Sequence, residues 1–262
     1  MRMNIIYNTC MDTYTFVGID VNNRPPYYHL AAIDSQLHFR SELTGDWEEL
    51  TQFLSKTDKL IIGINAPLSI NTGYLTQSNL PKHHPGRWPN CRRVEFELAQ
   101  HGAPVYFTPN DPHKMPAAMS RGFTMSRQLI DLGYELSVNQ TEKSLIEVPA
   151  DAAFWSIMQG EMIDQNQLLG RIQRQMILYE LGFHLPDPME FFEEITRFKI
   201  KMGSIPLDLM LTPQQLNARI VAYTAQQLWK NPERVAKLGY QQEGYLYLPA
   251  DSSALFATEN AQ

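Results

Sequence analysis

Thr15-Phe16-Val17-Gly18-Ile19-Asp20-Val21 decides how this chain is read. Residues 15–19 form a compact apolar run, and a carboxylate follows at once at Asp20. A polar turn, Asn22-Asn23-Arg24-Pro25-Pro26, then breaks the strand. A buried strand that carries an unpaired Asp to its edge is costly, because an isolated carboxylate loses its hydration. One reading of Asp20 is a metal or phosphate site at a strand end. The other is a strand terminus where Asp opens a turn.

Working outward, Tyr27 to Asp34 reads as a second strand and Leu37 to Leu43 as a third. In the third, His38, Arg40 and Glu42 alternate with Leu37, Phe39, Ser41 and Leu43, the period-2 pattern of a half-buried strand. The short connections favour an antiparallel meander. Asp46 is placed to cap a helix, with Glu48 and Glu49 in its first turn. Leu60-Ile61-Ile62-Gly63-Ile64 is apolar throughout, as expected of a parallel strand covered on both faces. Strand, strand, strand, helix, strand is an α/β order with a mixed sheet.

Residues 69–91 form a polar loop longer than most connections, which marks it as functional, mobile or both. Helices are predicted over 92–101, 116–132, 152–158, about 169–181 and 189–201. Short strands are predicted at 105–108 and 145–148. The last helix has the clearest start: Thr212 as N-cap, Pro213 at the first position and Gln215 completing a capping box. The segment Gly244-Tyr245-Leu246-Tyr247-Leu248 adds an edge strand or wraps the surface. No repeat or linker divides the chain. The expected organisation is a leader over 1–13, one domain over 14–250 with inserted helices, and a tail over 251–262.

The 262 residues carry a net charge of −6, and the pI is near 5.6, which argues against coating nucleic acid by bulk charge and leaves a local basic groove open. Cys10 and Cys91 make neither a disulfide framework nor a metal-ligand spacing, and read as free thiols in a reducing cytosol. No apolar run reaches membrane-spanning length, and the N-terminus lacks the apolar core of a signal peptide. The expectation is a cytoplasmic protein with no membrane partner and no assigned oligomeric state.

Six ordered motifs then carry a resemblance. They are the Val17 to Val21 strand, Ile62-Gly63-Ile64-Asn65-Ala66-Pro67-Leu68, Arg87 with Cys91-Arg92-Arg93, Ile146 to Trp155, Gly170 to Phe183, and Leu216 to Leu228. Together they resemble the domain of unknown function 429 family, described as predicted nucleases of ribonuclease H-like fold. The likeness runs roughly from Val17 to Ala250. It implies a ribonuclease H-like mixed sheet, an antiparallel meander plus parallel strands, flanked by helices. It also implies phosphodiester cleavage by Mg²⁺ or Mn²⁺ pairs about 4 Å apart, held by carboxylates from the first strand, the fourth strand and the last helix.

Carried over, the catalytic positions are Asp20, Asn65, Glu147 and Asn217, with Asp20 and Glu147 as the metal ligands. This chain departs from the family pattern at Asn65 and Asn217, where aspartates are usual. An amide keeps a carbonyl oxygen but loses the charge that offsets dehydration of a dication. Two functions therefore remain open: a metal-dependent nuclease using Asp20, Glu147 and Asp208 or Asp111, or a catalytically inactive domain that binds nucleic acid or a protein partner. A sugar-kinase-like ATPase lacks a matching Gly-rich phosphate loop. Arg87, Trp88, Arg92 and Arg93 form the densest basic stretch with an aromatic, suited to a phosphate backbone and a stacked base. The other reading of that stretch is an exposed, solvated loop.

Overall fold

The computed structural model describes residues 14–57, 59–77, 90–136 and 142–250. The sequence-predicted leader 1–13, the tail 251–262 and the centre of the 69–91 loop lie outside the described residues. The strands are β1 (Thr15–Val21), β2 (Tyr28–Ile33), β3 (Phe39–Gly45), β4 (Leu60–Asn65), β5 (Lys143–Glu147), β6 (Ala236–Tyr240) and β7 (Gly244–Leu248). They form one mixed sheet in the order β3-β2-β1-β4-β5-β7-β6. The β1–β2 and β2–β3 pairs are antiparallel, and β1–β4, β4–β5 and β5–β7 are parallel. This is the α/β arrangement expected of a ribonuclease H-like core.

The burial pattern follows the sequence pattern. Every residue of β1 and β2 is buried, whereas β3 alternates between half-buried and exposed residues as an edge strand should. Helices α1 (Trp47–Leu54), α2 (Tyr74–Gln77), α3 (Arg93–Gln100), α4 (Ala117–Asp131), α5 (Ala150–Met158), α6 (Leu168–Glu180), α7 (Glu190–Glu194), α8 (Arg197–Lys201) and α9 (Pro213–Lys230) surround the sheet. Successive strand residues point to opposite faces. Val17, Ile19 and Ile62 therefore pack with Leu50 and Leu54 of α1 and Met125 and Leu129 of α4. Phe16 and Ile61 pack on the other face with Leu216, Ile220 and Val221 of α9.

Helix α9 lies unusually close to β1, and Gly18 makes that possible. A Cβ built at Gly18 would stand 1.9 Å from the Ala218 carbonyl oxygen and 2.4 Å from the Ala222 nitrogen. The helix begins where the capping box places it. Thr212 Oγ1 accepts the Gln215 N–H, and Gln215 Oε1 accepts the Thr212 N–H. The close approach and the fixed start together hold the next turn, with Asn217, over the C-terminal end of β1.

Three expectations are corrected. Residues 105–108 form no strand: Thr108 gives its N–H and hydroxyl to the Glu95 carboxylate instead of to a neighbouring strand. The helix expected over 189–201 is two short helices, broken at Ile195 and Thr196, where Thr196 caps the Lys199 N–H. The chain end makes a hairpin whose inner strand, β7, joins β5, so β6 is the sheet edge.

Candidate functional site

Thr44, His29, Asp20 and Asn65 form one in-register row across β3, β2, β1 and β4. Residues opposite one another share a face, so all four side chains lie on the α9 side of the sheet. They floor a cleft of about 710 Å³, walled by the 22–26 turn, Gln165, Asn166 and the first turn of α9. Open α/β sheets place ligand sites at such carboxyl ends of strands.

Asp20 is the centre of hydrogen bonding here. Asn65 Nδ2 donates to Asp20 Oδ1 at 2.6 Å, and Asn217 Nδ2 donates to the same oxygen at 3.3 Å. Asn65 cannot turn its amide around freely, because its Oδ1 accepts the Ala150 N–H at 2.9 Å. Asn217 Nδ2 also donates to Gln165 Oε1 at 3.1 Å, while its own Oδ1 is buried with no partner among the described residues. Burial pushes the Asp20 carboxyl up from 3.8 to about 7, against the two amide bonds that pull it down, and the Asp151 charge adds a little more. Asp151 itself is paired with Arg174 at 2.7 Å.

Beside Asp20 lies a chain of polar contacts that sequence reading missed. His29 Nε2 meets Glu42 Oε1 at 2.8 Å, and Thr44 Oγ1 meets His29 Nδ1 at 3.0 Å. Burial raises the Glu42 carboxyl, but the His29 bond and the Arg219 charge outweigh it, and the group sits below its ordinary value. A carboxylate accepts only, so the Nε2–H of His29 donates to Glu42. Arg219 Nη2 closes the chain on Glu42 Oε2 at 3.1 Å. The available signal was the alternation of β3, which puts Glu42 and Thr44 on one face.

Glu147 does not join this site. It pairs with Ile64 in the sheet, one residue out of step with Asn65, so it points to the opposite face. There its carboxylate takes the Arg92 guanidinium, the Tyr106 hydroxyl at 2.7 Å and the Leu68 N–H at 2.8 Å. Its lone pairs are spent on buried donors, which corrects its expected role as metal ligand and catalytic residue. Arg92 is corrected too. It is fully buried between Glu147 and Glu95 and has no face for a phosphate backbone. Arg93 is partly exposed, pairs with Glu97 at 2.8 Å and lies over the Tyr240 ring. Arg87 and Trp88 lie outside the described residues. Asp111 caps a short turn through the His113 N–H, and neither it nor Asp208 lines the cleft.

The donor set does not fit a pair of divalent ions. Mg²⁺ and Mn²⁺ require oxygen donors, with enough negative charge to offset dehydration. Among the described residues that line it, the cleft has one carboxylate, Asp20, and both neighbouring amides present N–H groups to it. Among the described residues, no three His, Cys, Asp or Glu side chains converge as metal donors, and no helix is long and apolar enough to cross a membrane. No family model, no curated protein and no solved structure matches the chain.

Proposed function

We propose that the protein is a ribonuclease H-like domain that binds a nucleic-acid strand in an amide-lined cleft and does not cut it by the two-metal route. The observation that carries this reading is the double donation to Asp20 Oδ1 from Asn65 and Asn217. A cluster of carboxylates without metal would repel phosphate. Amides remove that repulsion, and burial, which raises the Asp20 carboxyl from 3.8 to about 7, lessens the charge left there. Asn22, Asn166, Gln165 and Gln214 supply donors and acceptors for base edges and sugar hydroxyls, and Arg24 supplies a cation for phosphate. With Arg24 the one Lys or Arg among the described residues lining the cleft, the salt dependence of binding is shallow.

The test is fluorescence anisotropy with labelled single-stranded DNA, single-stranded RNA and hybrid duplex in EDTA, followed by gels with Mg²⁺ or Mn²⁺. Saturable binding in EDTA that Arg24→Ala weakens, with no strand cut in either metal, is the expected result. Absence of binding to all three substrates overturns the reading. So does metal-dependent cutting that Asp20→Ala abolishes, which would restore the nuclease assignment.

A further inference from the structure

The segment between α6 and α9 forms an arm that carries the short helices α7 and α8. Phe191 is buried with Ile172 and Met210. Around it, Met189, Phe192, Phe198, Ile200 and Met202 turn outward, with Phe198 72 % and Met202 66 % exposed. Single exposed apolar side chains are ordinary, but so many within one short arm mark an interaction surface.

The charges of this arm divide by element. Helix α7 carries Glu190, Glu193 and Glu194, and with Asp208 and the cation Lys199 they line a hollow of about 490 Å³ whose charged side chains are predominantly acidic. Helix α8 carries Arg197, Lys199 and Lys201, interleaved with Phe198 and Ile200. Lys199 is held by Glu194 of the same chain. Arg197 and Lys201 are exposed, with no ion-pair partner among the described residues.

We propose that two copies of this chain associate through the arm, with α8 of each copy entering the acidic hollow beside α7 of the other. A two-fold interface uses the same patch twice, so the patch must complement itself. This one does: it presents an acidic concavity and a basic, apolar projection side by side. The acidic wall of α7 argues against an anionic lipid surface as the occupant, because the lipid would face Glu190 and Glu193 as well as Arg197 and Lys201. Phe198, Ile200 and Met202 supply the apolar centre, and the ion pairs form the rim and set orientation.

Sedimentation velocity over a dilution series tests this, with circular dichroism to verify folding. The parent protein is expected to dimerise reversibly. The Phe198→Glu/Ile200→Glu variant is expected to stay monomeric with an unchanged spectrum. Inverting α8 alone (Arg197→Glu/Lys201→Glu) or α7 alone (Glu190→Lys/Glu193→Lys) is expected to weaken association roughly tenfold or more. Mixing these two charge-inverted variants is expected to restore a heterodimer, which a nonspecific sticky patch would not do. A parent protein that is monomeric throughout overturns the proposal. A dimer indifferent to all these variants overturns it as well, as does a monomer that co-sediments with phosphatidylserine vesicles.

Discussion

The Asn65 side chain joins two elements at once: its Nδ2 donates to Asp20 Oδ1 at 2.6 Å while its Oδ1 accepts the Ala150 N–H at 2.9 Å. The second bond fixes the direction of the first. A free amide could offer either its oxygen or its nitrogen to the cleft, but this one is committed to donating toward β1. An Asp at the same position would keep the Ala150 contact and place a second oxygen against Asp20. The difference between two facing carboxyl groups and a carboxyl hydrogen-bonded to an amide is therefore one atom, held by the N-terminal turn of α5.

Asn65→Asp should destabilise the protein in EDTA, by about 1–3 kcal/mol, because a buried acceptor loses its donor and gains a like partner. Adding Mg²⁺ or Mn²⁺ should return part of that loss in the variant and change the parent little. Differential scanning calorimetry with and without metal checks both. A parent midpoint that rises with metal as much as the variant's would contradict the donor-set argument.

The Asp20 carboxyl makes stability depend on pH in a defined direction. Its value in the fold is raised from 3.8 to about 7, so between these values the folded state holds a proton that the unfolded state has released. The associated stability is fully present below pH 3.8 and is lost as pH rises toward and through 7. Asp20→Asn should remove that slope, keep an oxygen for both amide donors, and be more stable than the parent at pH 8. Urea titrations of both proteins at a series of pH values measure the effect. Equal slopes would place the proton elsewhere.

Glu147 is assigned to the framework, and its variants should behave accordingly. Glu147→Ala leaves the fully buried Arg92 facing Glu95 alone and strands the Tyr106 hydroxyl, which should cost about 3–5 kcal/mol. Chemical denaturation reads this loss. Oligonucleotide affinity per folded molecule should be unchanged, since Glu147 projects away from the cleft. A variant of parental stability with lost binding would reverse the assignment.

Gly18→Ala tests the seat of α9 on the sheet. The added methyl would meet the Ala218 carbonyl oxygen at 1.9 Å, and this neighbour is helix backbone that cannot swing aside. Overpacking of this kind costs about 1–3 kcal/mol. It should also lift Asn217 from Asp20 and weaken strand binding. Thermal melts and anisotropy should move together; a melt that shifts without any change in binding would separate helix seating from the site.

The sequence by itself determined the sheet's core and much of the helical frame. Continuous apolar runs at 15–19 and 60–64 mark strands covered on both faces, alternation over 37–43 marks the edge, and Thr212-Pro213-Gln214-Gln215 marks the start of α9. These signals are local, because apolar periodicity and capping act within a few residues of chain. Asp20, Asn65 and Asn217 were legible as one site through the resemblance, and the structure brings the three together. The fate of Glu147 was not legible, since a shift of one residue in strand register exchanges the two faces of a sheet and register is a property of the pair. Nor was the burial of Arg92, because its partners Glu95 and Glu147 lie on α3 and β5 and meet only in the folded chain. Tertiary structure alone decided which way the Asn65 amide points, that Asp20 is buried enough to hold its proton near neutrality, and that Thr44 and His29 extend its row. Each depends on groups far apart in sequence whose charges and hydrogen bonds acquire their strength only when water is excluded between them.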